Sequence, residues 1–256
     1  MIHPSAVIDP SAELADDVEV GPFTVIGAGV EVGSGTRIGP HAVLRGPARI
    51  GRDNRIFQFA SVGEDPQDKK YAGEPTQLEI GDRNTIRECV TLSRGTVQGL
   101  GLTRIGNDNW FMAYCHVAHD CLVGNGTVFA NATALGGHVE IGDFAVLGGS
   151  TLIHQFCRVG ANSFCSMGAT VRRDVPPFVT VAGDPAMPHG INSEGLRRRG
   201  YSAERVALIK RAYRLVYRSG LRLAEAVAAV REMPDPDGDL TLMCNFVEGG
   251  GRGIAR

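Results

Sequence analysis

The chain has 256 residues, among them 34 Gly and 13 Pro, with 26 Lys and Arg against 28 Asp and Glu for a formal net charge of −2. This length predicts one or two domains with a sizeable core, and no run approaches the roughly 18 apolar residues of a membrane-spanning helix. A near-neutral balance argues against a general polyanion binder, so no nucleic-acid partner is expected. The start, Met1-Ile2-His3-Pro4-Ser5, has no basic segment leading into an apolar core, so no signal peptide is read and a cytoplasmic location is expected.

In chain order, a bulky residue returns every sixth position from Ile2 through Ile8, Leu14, Val20 and onward to Val62, again at Ile80, Ile86 and Leu92, and again from Ile105 to Val171. Of these 26 hexads, 23 are led by Ile, Leu or Val, and in 13 the next residue is Gly. The fifth place is almost always small, as at Ala6, Ala12, Val18 and Thr24. An α-helix cannot hold this pattern, because six steps of about 100° return about 240° from the start. Three hexads of short strand and tight turn instead make one triangular coil, with the leader and fifth residue pointing inward and successive coils pairing as parallel strands. The expected class is mainly β, a left-handed parallel β-helix with hexapeptide repeats over residues 1–189.

Two stretches break the phase. Between Val62 and Ile80 the leader places fall on Asp68 and Glu74, which predicts a projecting loop near 64–79. Leu92 to Ile105 is one place out of phase and rich in Gly, which predicts a second near 93–104. Long loops on a rigid scaffold commonly carry function. The repeat ends at Asp174-Val175-Pro176-Pro177. Helical spacing then runs through Val206, Ile209, Ala212, Tyr213 and Val216, and again through Leu223, Ala226, Val227 and Val230, with a further short helix over Leu240 to Phe246. A small α-helical domain over 190–256 is therefore expected. It holds a basic stretch, residues 197–222, with nine Lys or Arg against the single acid Glu204.

Four of the seven histidines, His116, His119, His138 and His154, crowd into the middle of the chain. Three hexads after His119 comes Gly137, so His138 is one coil up and one residue along, while His154 is one coil above Gly136. These rings can share a cleft that Gly136 and Gly137 leave unfilled. Asp120 follows His119 directly, the arrangement of a base and its orienter. No metal is expected, since dense carboxylate and His-x-x-x-x-His spacings are missing. Cys115, Cys121 and Cys157 occupy inward fifth places and read as core residues, and Trp110 reads as packing.

The segments Gln67-Asp68-Lys69-Lys70-Tyr71-Ala72-Gly73-Glu74-Pro75-Thr76, Arg94-Gly95-Thr96-Val97-Gln98-Gly99, His116-Val117-Ala118-His119-Asp120-Cys121, His154-Gln155-Phe156-Cys157 and Asn192-Ser193-Glu194-Gly195-Leu196-Arg197-Arg198-Arg199-Gly200 closely resemble the acyl-ACP:UDP-N-acetylglucosamine O-acyltransferases of lipid A biosynthesis. The resemblance covers essentially the whole chain. It implies a homotrimer with active sites between subunits, moving a (R)-3-hydroxyacyl chain from acyl carrier protein to the 3-hydroxyl of UDP-GlcNAc without metal or cofactor. It further implies His119 as general base, Asp120 as its orienter and the Gly137 N–H as oxyanion donor. Asp68, Lys70, His116, His138, His154 and Gln155 match residues around the sugar and acyl chain. Asn192, Glu194, Arg198 and Arg199 match the uridine diphosphate side.

Two positions depart from the pattern. Ser93 stands where a His is often found, and Met167 where long-chain members carry Gly, which predicts a shorter donor of about ten to twelve carbons by steric overlap. The basic stretch, with Arg172, Arg173, Lys210 and Arg211, is a candidate surface for the acidic carrier protein. Competing readings are an N-acyltransferase acting on an amino-UDP-sugar, a metal-dependent β-helix like the γ-type carbonic anhydrases, and a purely structural trimer.

Overall fold

The computed structural model describes all 256 residues. Short strands stack into three sheets of nine, eight and ten strands, parallel except for the last strand of the ten-stranded sheet, and these are the three faces of a left-handed triangular prism. Each coil visits them in turn: Trp110–Phe111 on the ten-stranded face, His116–Val117 on the nine-stranded face and Leu122–Val123 on the eight-stranded face. Three corners separate them. Corner I follows the nine-stranded face and holds residues 118–121, corner II follows the eight-stranded face and holds 124–127, and corner III follows the ten-stranded face and holds 112–115.

The register is the three-hexad period itself: His116 pairs with Ala134, which pairs with Leu152. Hexad leaders and fifth-place residues face inward and form one buried cluster of 41 residues. Cys115, Cys121 and Cys157 belong to it, and burial pushes the Cys121 thiol up to about 12, so it is no thiolate near neutral pH. At corner II the interior is polar, and its middle coils are linked by a side-chain-to-backbone ladder. Asn54 accepts the Asn84 N–H at 2.9 Å, Asn84 accepts the Asn109 N–H at 2.9 Å, and Asn109 accepts the Thr127 N–H at 2.8 Å.

The outward positions differ by face. On the eight-stranded face Glu13, Glu31, Arg49, Glu79 and Arg104 stack in register, with an Arg104–Glu79 contact of 2.9 Å. On the nine-stranded face the equivalent positions are Val7, Val25, Val43, Ser61, Thr91, His116, Ala134 and Leu152, none of them a Lys, Arg, Asp or Glu. Trp110, read from sequence as packing, stands on the outside of the ten-stranded face with 43% of its surface exposed. It sits one place before the leader Phe111, and strand alternation turns it outward.

Both interruptions leave the prism at corner I. Strand Ser61–Glu64 leads to Gln77–Ile80, and Thr91–Ser93 leads to Leu102–Ile105, so the projecting segments are 65–76 and 94–101. Strands Val179–Ala182 and Met187–Ile191 then form an antiparallel pair, and the division read at 189/190 falls inside the second of them. Four helices follow: α1 (Ser193–Arg198), α2 (Ala203–Arg218), α3 (Leu223–Arg231) and α4 (Asp239–Glu248). Asn192 and Ser202 cap α1 and α2 through side-chain oxygens. The helices enclose a second cluster built on Leu196, Ile209, Val216, Val230 and Met243, into which Phe178 projects from the prism. Arg158 fastens the two parts. It donates to the buried Asp174 carboxylate at 2.9 Å and to the Phe246 carbonyl at 3.0 Å, while Asp174 receives the chain end through an Ala255 N–H bond of 3.0 Å. No helix is long and apolar enough to cross a membrane.

The asparagine column yields a prediction. Asn84→Ala strands the buried Asn109 N–H and is expected to cost about 1–3 kcal/mol in denaturant unfolding at fixed protein concentration. Arg49→Ala, which removes only an exposed pair with Glu31 at 3.6 Å, is expected to stay within about 1 kcal/mol of the parent.

Candidate active site

In the coils around the histidines the third residue of the corner I turn takes a left-handed conformation: φ is 59° at Asp120, 60° at His138 and 66° at Phe156. Asp and His tolerate this region better than most residues, and the same place also accepts Phe156. The three-hexad register then stacks Asp120, His138 and Phe156 in one column, and His119, Gly137 and Gln155 in the next. His138 lies flat on Phe156 with centroids 4.5 Å apart, and it meets the His119 ring edge-on at 5.1 Å.

His119 Nδ1 lies 2.8 Å from Asp120 Oδ2. The carboxylate is 2% exposed and takes donors from the 94–101 loop: the Thr96 N–H at 3.1 Å, the Thr96 hydroxyl at 2.6 Å and the Leu100 N–H at 2.9 Å. Burial pushes the Asp120 carboxyl up, but the Thr96 hydroxyl, His119 and the Thr96 N–H together outweigh it and hold the group below the usual carboxylate range. Asp120 is therefore ionised at neutral pH and fixes the proton of His119 on Nδ1, leaving Nε2 as a lone-pair acceptor. Because its folded pKa is depressed, its contribution to stability is present above about pH 4 and is lost as pH falls through the folded value.

Gly137 is required by close approach. A Cβ there would lie 2.5 Å from His119 Cε1 and 2.7 Å from Nε2. Its N–H has no partner within the chain. At corner II the equivalent donors are capped by side chains, as where Asn107 N–H meets Asn125 Oδ1 at 2.8 Å. Corner I thus presents an open N–H beside the imidazole.

These groups line a cleft of about 650 Å³, closed on one side by Asp68 and Lys70 of the 65–76 loop and on the other by His119, His138, Gln155 and Phe156. Thr96 and Gln98 complete it. Burial pushes the His138 imidazole down, and His119 adds to this against the pull of Asp120 and Asp68. Burial also lowers His116, which lies on the nine-stranded face bonded to Thr91 at 2.7 Å. His119, Asp120 and His138 bring three ligand-type atoms within 4.8 Å of one another.

The other candidate residues lie elsewhere on the chain. His154 is exposed at corner I, outside the cleft lining, with Nδ1 3.1 Å from the Gln155 carbonyl. Met167 stands at corner III, 81% exposed. Asn192 caps α1 and donates to the Asn162 carbonyl at corner II at 3.0 Å, Glu194 pairs with Arg198 at 3.0 Å, and the Arg199 guanidinium lies over the Phe144 ring. Sequence reasoning missed the grip of Thr96 and Leu100 on Asp120. The available signal was two phase breaks that both fall after nine-stranded-face leaders, Val62 and Leu92, and so project from one corner.

Residues 174–255 match the family model "Udp N-acetylglucosamine O-acyltransferase; Domain 2", and residues 102–137 match "Bacterial transferase hexapeptide (six repeats)". Across 255 residues, 100% of this chain and 99% of the relative, the sequence is 60% identical to the acyl-[acyl-carrier-protein]–UDP-N-acetylglucosamine O-acyltransferase of Halorhodospira halophila. The chain belongs to this acyltransferase family. Among solved structures, LpxA from Acinetobacter baumannii superposes with a TM-score of 0.97 at 45% identity, covering 100% of this chain and 99% of that one. The UDP-N-acetylglucosamine O-acyltransferase of Moraxella catarrhalis also gives 0.97, at 43% identity and the same coverage.

In this acyltransferase, Gly137→Ala is expected to push the His119 ring out into the cleft. The NMR resonance of its Nδ1 proton should be lost or shifted, with unfolding stability changed by only about 1 kcal/mol, because the clash is with the tip of a side chain that can swing.

Proposed function

We propose that the chain transfers a (R)-3-hydroxyacyl group from acyl carrier protein to the 3-hydroxyl of UDP-N-acetylglucosamine, the first step of lipid A biosynthesis, as a homotrimer in the cytoplasm. The observation that carries the chemistry is the His119–Asp120 pair beside the unpartnered Gly137 N–H. A sugar hydroxyl is a poor nucleophile near neutral pH. His119 Nε2 takes its proton as the oxygen attacks the thioester carbonyl, and Asp120 stabilises the imidazolium that forms. The Gly137 N–H donates to the tetrahedral oxyanion. Collapse breaks the C–S bond, and the proton held by His119 passes to the departing thiolate of the carrier. As written, the reaction balances without a metal or cofactor.

Asp68, Lys70, His138 and Gln155, which share the cleft with the base, bind the sugar and the acyl head, with His116 and His154 contributing beside them. Asn192, Glu194, Arg198 and Arg199 bind the uridine diphosphate, for which a guanidinium is chemically suited. Three corners of one prism cannot meet, so a site that uses corner I, α1 and Met167 together requires neighbouring subunits. The nine-stranded face, whose column from Val7 to Leu152 holds no Lys, Arg, Asp or Glu, supports such packing. Met167 then limits the acyl groove when it faces corner I of a neighbour.

Incubating the protein with UDP-N-acetylglucosamine and a ladder of 3-hydroxyacyl carriers tests this. Transfer is expected to peak at about ten to twelve carbons, to fall by about 10²–10⁴ in His119→Ala, and to move to longer chains in Met167→Gly. Transfer only to a 3-amino acceptor would reassign the enzyme as an N-acyltransferase. Arg172, Arg173, Lys210 and Arg211 are all exposed and are proposed to receive the acidic carrier. Lys210→Glu with Arg211→Glu is expected to raise KM for the carrier several-fold at low salt and to leave KM for the nucleotide sugar unchanged.

A further inference from the structure

Arg94 and Thr96 lie two residues apart in the loop between strands Thr91–Ser93 and Leu102–Ile105, both are buried, and they act in opposite directions along corner I. Arg94 reaches toward the coils below. Its guanidinium donates to the Gly63 carbonyl at 3.1 Å and the Tyr71 hydroxyl at 2.9 Å, and it also bonds the Gly46 carbonyl and the Asp65 carboxylate. Tyr71 in turn donates to the Glu74 carbonyl at 2.9 Å, closing the segment that carries Asp68 and Lys70. Thr96 reaches upward, and its hydroxyl and N–H both hold the Asp120 carboxylate. The backbone has no slack between them: a Cβ on Gly95 would run into the Leu102 nitrogen, and one on Gly99 would lie 2.5 Å from the Asp120 carboxylate carbon.

We propose that Arg94 and Thr96 are paired positioning residues, Arg94 setting the 65–76 loop over the acceptor sugar and Thr96 setting the Asp120 carboxylate that orients the His119 base. This rests on the reaction proposed above. The two residues are joined by a single glycine, yet they govern separate steps. Arg94 acts on ground-state binding, through Asp68 and Lys70. Thr96 acts on proton transfer, because the hydroxyl oxygen bonded to Oδ2 fixes the lone pair that receives the His119 Nδ1 proton.

Steady-state kinetics on the full-length protein, with UDP-N-acetylglucosamine as the varied substrate, separates the two roles. Thr96→Val, which keeps the shape and removes the hydroxyl, is expected to lower kcat about ten- to a hundredfold with KM nearly unchanged, the scale of a lost hydrogen bond to a charged group. Thr96→Ser is expected to restore kcat. Arg94→Lys, which loses the forked contacts, is expected to raise KM for the nucleotide sugar about fivefold or more with kcat nearly unchanged. In parallel, the His119 Nδ1 proton resonance should shift in Thr96→Val and stay in place in Arg94→Lys. Equal losses in both parameters for either variant, or Thr96→Ser as impaired as Thr96→Val, would overturn the inference. The resonance reads base geometry without turnover, so wild-type protein that acylates no acceptor sinks the assigned reaction while the Thr96 arm is still decided.

Discussion

Parallel pairing at a fixed interval of three hexads is the constraint on which everything else in the molecule rests. It places each side chain directly above its counterpart one coil earlier, about 4.8 Å away. Two insertions test its strength. Val62 pairs with Leu92, and Leu92 pairs with Val117. The chain between the first pair exceeds one coil by two hexads, and between the second by one hexad and a single residue. The sheets absorb neither surplus. Both segments are extruded at corner I, and the ladder resumes in phase above them, because a one-residue slip would turn every aliphatic leader outward. The cleft is thus a by-product of a stiff scaffold that refuses extra chain.

Extruded loops would have little order by themselves, and buried charge supplies it. Asp120 is almost wholly withdrawn from water, a costly arrangement for a carboxylate unless donors surround it. The donors that hold it belong to the 94–101 loop and His119. The same hydrogen bonds therefore order the loop, keep Asp120 ionised and set the tautomer of the histidine. Arg94, equally buried, does the reciprocal task for the 65–76 loop with a positive charge. Two opposite charges, each hydrogen-bonded to a neighbouring segment, convert the extruded chain into walls of a cleft.

The prism was legible in the sequence because its period leaves a mark on every sixth residue, and the grouping of His119, His138 and Gly137 followed from counting in coils of three hexads. Counting fails where the chain leaves the prism. Nothing in the hexad pattern says that Thr96 and Leu100 turn back onto Asp120, since a loop path is decided by the partners it finds. The same limit hid the return of Ile254 to pair with Asp174, and Trp110, read simply as packing, takes its outward stance from its phase, one place before the leader Phe111. His154 shows the reverse case: its height and corner are as counted, but the turn directs Gln155 and Phe156 rather than His154 into the cleft.

Phase also carries information that one chain cannot use. His119, Gly137 and Gln155 share corner I, Met167 falls at corner III, and Asn192 reaches corner II through Asn162. Faces of a closed prism keep these corners apart, and no rotamer change on such a scaffold brings Met167 to His119. In the proposed reaction, the residue that limits the acyl chain and the base that accepts the sugar proton would therefore come from different copies. The face that would meet a neighbour carries Val7, Val25, Val43 and Leu152 without an acidic or basic partner, whereas the eight-stranded face spends its outward positions on Glu and Arg. Burying the first face removes apolar surface from water at no cost in charge, and burying the second would strip hydration from a column of ions. Between these two faces the distribution of charge favours association through the nine-stranded one, and in the reaction proposed for this chain such association is what completes the site.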